Sequence, residues 1–193
     1  MSSSSLIYRI HAPEIHRQES SGLRAHMRAW LPVLACLAVF IAESTTYFGG
    51  DHTSGPLRRV AEAVFGAGVD AHWGLIHHVI RKTGHFMGYG TLSLVCFRCV
   101  WMEFQGAASL LLRRLRAHGL AILSTFLVAS ADEFHQSFLP NRTGQFRDVL
   151  LDSCGALVLG LLLFLVMGAI EGRRRAQIVA IRGREPVFAD LAA

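Results

Sequence analysis

From residue 149 to 170 the chain runs through leucine, valine, alanine and glycine with Asp152 as its only charged residue. A stretch of ~20 mostly apolar residues is what one helix needs to cross a bilayer, so this segment points to a membrane rather than to a water-facing fold. Composition agrees: 52% of the 193 residues are hydrophobic, 17% are charged, and the mean hydropathy is +0.37. That balance disfavours a soluble single domain and excludes disorder over most of the length. The formal net charge is +5 and the pI about 9.5. The basic residues are scattered between apolar blocks without interleaved aromatics, so nucleic acid is not an expected partner. Cys36, Cys96, Cys99 and Cys154 all lie in apolar runs and read as small buried hydrophobes, the Cys96 and Cys99 pair included, rather than as a disulfide framework.

Three further spans are expected, over residues 30–48, 82–101 and 117–138. Pro32 is placed in the first turn of the first span, where it is tolerated. Glu43 interrupts that span and no small-x-small site follows it, which favours a retained helix over a cleaved signal peptide. Between the first two spans, Leu57, Val60, Ala61, Val64 and Phe65 recur at helical spacing opposite Arg58, Arg59 and Glu62. The expected fold is therefore all-α: a polytopic membrane protein with four transmembrane helices in a compact bundle and a short interfacial helix in the first outer loop. Residues 1–27 read as a polar flexible tail, 28–171 as the membrane domain and 172–193 as a basic cytoplasmic tail.

Arginine placement sets the expected orientation. Arg24 and Arg28, then Arg98, Arg113, Arg114 and Arg116, then Arg173, Arg174 and Arg175 all fall on one side of a four-span chain. That side is the cytoplasm, with both termini inside a bacterial inner membrane. The outer segments also hold Arg58, Arg59, Arg81, Lys82, Arg142 and Arg147, so the bias is not clean.

Polar groups in membrane helices are costly, and here they gather toward one level. His78, Lys82, His85 and Tyr89 follow spacings of a helix face, and Lys82 is the sole lysine. Asp132, Glu133 and Gln136 crowd the end of the third span, Pro140 ends it, and Arg142 and Arg147 follow. Asp148 and Asp152 open the fourth span one turn apart, with Gly155 and Gly160 offering small surfaces for close helix contact. Lys82, His85, Tyr89, Asp132, Glu133, Gln136, Arg142 and Asp148 thus form the expected polar cluster at the outer face, with Lys82 or His85 expected near Asp132 or Glu133. Such pairs also serve simply to lock helices together, a role at least as common for any one residue. Glu43 fits either the cluster or the headgroup layer. His77, His78, His85 and His135 make no metal motif, and neither metal nor cofactor is expected.

Two segments carry a resemblance to a known family. RKTGHFMGYGTL places Lys82, His85 and Tyr89 on a K-x-x-H-x-x-x-Y pattern, and DEFHQSFLPNRTGQFRDVLLDSCGALVLG places Asp132, Glu133, Gln136, Pro140, Arg142, Asp148 and Gly155 on a second one. In both, the chain resembles the VanZ-like family of small bacterial membrane proteins, over residues 30–170. Asp152 departs from the asparagine usual there, and Asn141 from the usual glycine. The resemblance implies an envelope setting, through a namesake associated with teicoplanin resistance, but no reaction.

Two functions follow as expectations. The first is an envelope-associated binding or accessory protein that recognises an anionic lipid, a cell-wall precursor or a glycopeptide through Lys82, Arg142 and the neighbouring acids. The second is an intramembrane enzyme acting on a lipid or cell-wall precursor, with Glu133 or Asp132 as general base and His85 as acid.

Overall fold

The structure is a computed structural model and describes residues 24, 26–45, 47, 50–104, 109–140, 142 and 144–182. Of the tail expected over residues 1–27, residues 1–23 lie outside the described residues while Arg24, His26 and Met27 are helical; the last residues of the C-terminal tail (183–193) and Asn141 also lie outside the described residues. Among the described residues five α-helices follow in order: α1 His26–Glu43, α2 Gly50–Phe65, α3 Trp73–Glu103, α4 Leu110–Gln136 and α5 Phe146–Arg182. A short 3-10 helix, Ala67–His72, joins α2 to α3. No strand occurs among the described residues, as an all-α chain requires.

Boundaries depart from expectation where local chemistry extends or stops a helix. The chain is helical at Arg24 and from His26 onward, so Pro32 lies beyond the first turn of α1, where its missing N–H removes one helical hydrogen bond. α2 starts before Leu57 and contains Pro56. It stops at Gly66, whose φ of 83° suits a residue without Cβ. Arg58 then clips α2 to the 3-10 helix, with Nε bonded to Asp70 at 2.7 Å and to Glu62 at 2.8 Å. That guanidinium holds the Asp70 carboxyl below its usual range. α3 reaches back to Trp73, whose indole N–H donates to Ser54 Oγ at 2.7 Å. Ser109 caps α4 by accepting from the Leu112 amide at 3.1 Å. α5 continues past the expected span end into the C-terminal segment.

α1 and α5 are long and apolar enough to cross a membrane. The polarity of the packed helices is inverted relative to a water-soluble bundle. Leu120, Leu123 and Leu127 on α4 and Leu157, Leu161 and Leu165 on α5 are exposed, while Arg114, Thr125, Glu133, Gln136 and Asp152 are buried. Soluble monomers rarely expose contiguous apolar faces on this scale. The interior centres on Tyr89, Leu92, Cys99, Ala129 and Val149, against which Ala29, Val33 and Phe40 of α1 pack. Cys99 is buried and Cys36 and Cys96 half-buried, but Cys154 is exposed on the outer face of α5, contrary to the reading of all four as core residues. Side-chain contacts fix direction: Phe97 meets His118 and Tyr89 meets Asp132, so α3 and α4 are antiparallel, while α3 and α5 run parallel through Lys82 with Asp148 and His85 with Asp152.

The parallel pair approaches closely. A Cβ at Gly155 would fall on the carbonyl oxygen of Phe86, and one at Gly90 would meet Leu159 and the Gly155 carbonyl. Gly160 is different, since its nearest neighbour, Ile122, would lie at an ordinary 3.7 Å. Gly155→Ala should therefore force α3 and α5 apart and cost about 1–3 kcal/mol, the usual range for overpacking. Gly160→Ala should be neutral or better. Thermal unfolding of both variants in detergent checks this, and equal midpoints would contradict the close crossing.

Candidate functional site

Parallel packing of α3 on α5 turns two sequence spacings into one ladder. Lys82 Nζ bonds Asp148 Oδ1 at the first rung. At the second, His85 Nδ1 stands 3.5 Å from Asp152 Oδ1, an ion-pair distance longer than a hydrogen bond. Asp152 is 0% exposed and neither of its carboxylate oxygens has a hydrogen-bond partner. Tyr89, one turn further, is also fully buried; its ring stacks on Phe40 at 4.4 Å and lies 6.1 Å from the His85 ring.

The acids of α4 meet this ladder from the other side. Tyr89 O–H donates to Asp132 Oδ2 at 2.9 Å, and Gln136 Nε2 donates to the same oxygen at 3.0 Å. Glu133 Oε2 accepts from the Gln145 amide at 2.9 Å, which ties the turn before α5 to the end of α4. Gly144 lies so close to that helix end that a Cβ there would fall on the Glu133 carbonyl oxygen. Asp132, Asp148 and Asp152 are within electrostatic reach of Glu133, and Asp132 and Asp148 within reach of Asp152.

The turn is also tied to α1. Arg142 Nη2 donates to the carbonyls of Glu43 at 2.7 Å and Thr45 at 3.1 Å, satisfying oxygens that a helix C-terminus leaves unpaired. Burial first, and the Arg81 charge second, push the Arg142 pKa down. Ser44 and His135 link α1 to α4 at 3.0 Å. Two clefts open beside these contacts. One, about 310 Å³ and almost wholly apolar, lies between α1 and α4 and ends at Ser44, Asp132 and His135. The other, about 220 Å³, is walled by Glu43, Leu57, Ile80, Arg81, His85 and Arg142.

All eight residues of the expected cluster thus come to one end of the bundle, but the pairing differs from expectation. Lys82 binds Asp148 and His85 faces Asp152, while Asp132 is taken by Tyr89 and Gln136. The reason is register: α3 and α5 run parallel with matched turns, so each α3 base meets an α5 acid before it meets α4. Glu43, open between two readings, lines the smaller cleft. Asp152 and Arg81 were outside the expected set. The one-turn step from Asp148 to Asp152, echoing that from Lys82 to His85, was the available signal for the former, and Arg81 carried none. Among the described residues, no group of three or more His, Cys, Asp or Glu side chains is arranged to hold a metal ion.

The opposite end holds a second buried network that sequence reasoning treated only as loop charge. Arg114 lies over the Phe164 ring at 4.5 Å, donates to the Phe164 carbonyl, and pairs with Glu171 at 3.2 Å. His118 is sandwiched between Phe97 and Phe164, with Nδ1 2.8 Å from the Arg114 carbonyl.

A family model described as VanZ/LLP1 matches residues 29–168. No curated protein and no solved structure matches the chain.

The ladder predicts a coupling. Lys82→Gln leaves Asp148 without its cation, and Asp148→Asn leaves Lys82 without its anion, whereas the double variant leaves neither charge stranded. A double-mutant cycle on thermal stability should show an interaction of about 1 kcal/mol, reduced from the fully buried case because both side chains retain some solvent contact. Strict additivity would contradict the pairing.

Proposed function

This chain belongs to the VanZ/LLP1 family, and on that premise we propose an integral protein of the bacterial cytoplasmic membrane whose outer polar cluster binds an anionic envelope component. It crosses the bilayer four times and keeps both termini in the cytoplasm. α3 and α4 have 31 and 27 residues, about 46 and 40 Å at ~1.5 Å per residue, enough for a ~30 Å hydrocarbon core. Arg28, Arg113, Arg116 and Arg173 gather at the end opposite the cluster, which supports a cytoplasmic assignment for that end.

The observation that carries the binding reading is the variety of the cluster. Ammonium, imidazole, phenol, amide, guanidinium and carboxylates from α1, α3, α4, α5 and the turn before α5 meet at one level, and part of the set opens on a cleft. Helix stapling needs fewer kinds of group, as the Arg114 network at the other end illustrates. An accessory role of this kind would alter susceptibility to glycopeptides such as teicoplanin.

One observation favours the enzyme reading. Asp132 and Glu133 are engaged by Tyr89, Gln136 and Gln145, but His85 combines a buried carboxylate behind it with a cleft in front. An intramembrane enzyme acting on a lipid or cell-wall precursor would use His85 as its proton carrier and Asp152 to orient it.

Glu133→Gln, Arg142→Ala and His85→Ala should keep membrane abundance and lose the phenotype the gene confers. Immunoblots and glycopeptide susceptibility in a deletion strain measure the two together. A proportional fall of both would make the cluster a helix staple. Retained abundance with complete loss confined to His85→Ala and Asp152→Asn would put the enzyme reading ahead.

A further inference from the structure

The smaller cleft differs from the rest of the cluster in its charge. Lys82 is balanced by Asp148 and His85 by Asp152. Arg81 forms no ion pair among the described residues, although it walls the cleft with Arg142. Arg142 commits Nη2 to two carbonyls and retains a buried Nε–H without a partner. The two guanidiniums are close enough for each to raise the cost of the other's charge. Glu43 on the cleft wall, together with Asp132 and Glu133, acts on Arg142, which leaves Arg81 as the cation of the cleft without a carboxylate partner among the described residues. Leu57 and Ile80 line its apolar wall.

We propose that this cleft binds a phosphate group, carried by a lipid headgroup or free in solution at the outer face. The inference rests on the binding reading above and names its ligand class. Guanidinium donors suit phosphate oxygens, and a group held between Arg81 and Arg142 relieves their mutual repulsion while giving Arg81 the anionic partner it lacks. At about 220 Å³ the cleft falls below the ~300–1,000 Å³ of drug-sized sites, so it holds a small anionic group and not a whole glycopeptide. Leu57 and Ile80 on its apolar wall would meet the first carbons of an esterified chain.

The test uses the full chain in a neutral detergent and reads half-saturating concentrations by thermophoresis. Phosphatidylglycerol should bind and chain-matched diacylglycerol should not. Arg81→Gln strands no partner and should weaken phosphatidylglycerol binding by at least about tenfold, the loss expected for a charge-assisted hydrogen bond. Arg59→Gln, an exposed arginine of α2 outside the cleft, should leave it unchanged. Competition by inorganic phosphate would show that the phosphate group alone is read. Failure to compete, with lipid binding still dependent on Arg81, would identify the lipid ester as the source. Equal binding of diacylglycerol, equal affinity of wild type and Arg81→Gln, or equal weakening by Arg59→Gln would each overturn the proposal. If that happens while the cluster substitutions still abolish the phenotype at unchanged abundance, the phosphate assignment falls and the binding reading stands.

Discussion

The contact between Gly155 and the backbone of Phe86 is the constraint on which the arrangement of the cluster depends. Two parallel helices brought this close are locked in register, because any side chain at 155 would have to displace a carbonyl. With the register set there, Asp152 must lie beside His85 and Asp148 beside Lys82, each one turn nearer the same end. Gly90 and Leu159 continue the contact one turn in the other direction. The charges therefore follow from the close crossing, and the pairing partners follow from the charges.

An inverted polarity makes that pairing consequential. With leucines outward, the interior is where a charge has least competition from solvent, and an unmatched one is most costly. Both ends of the bundle answer this requirement, but differently. At the Arg114 end, one guanidinium is engaged by an aromatic ring, a carbonyl and Glu171. At the Lys82 end the groups are more numerous, are drawn from more segments, and reach a cleft that Arg81 and Arg142 line together. Buried ion pairs contribute little net stability relative to apolar packing, which supports the proposed binding role for the richer end over a purely structural one.

Much of this was legible in the sequence. Apolar run lengths gave the helices, helical spacing gave the stripe of Lys82, His85 and Tyr89, and the crowding of Asp132, Glu133 and Gln136 gave the opposing wall. Partners were not legible, because a spacing names a face of a helix and not the neighbour that face meets. Asp132 was available to Lys82 until the α3 and α5 register assigned Asp148 instead. Cys154 was misjudged for a related reason: in a uniformly apolar helix, hydrophobicity no longer distinguishes the inward from the outward side. The early start of α1 was missed because its first turn is polar, and the length of α2 because the residues before Leu57 carry no apolar helical spacing.

In the proposed orientation the Lys82 end of the bundle faces outward and the arginine end faces the cytoplasm. Fusing a periplasmic-activity reporter and a cytoplasmic-fluorescence reporter, in turn, after Gly55 in α2 and after Gly172 in α5 measures this directly. The account predicts opposite sides, with Gly55 outside and Gly172 inside. Both positions reporting the same side, or the reverse pair of sides, would contradict it.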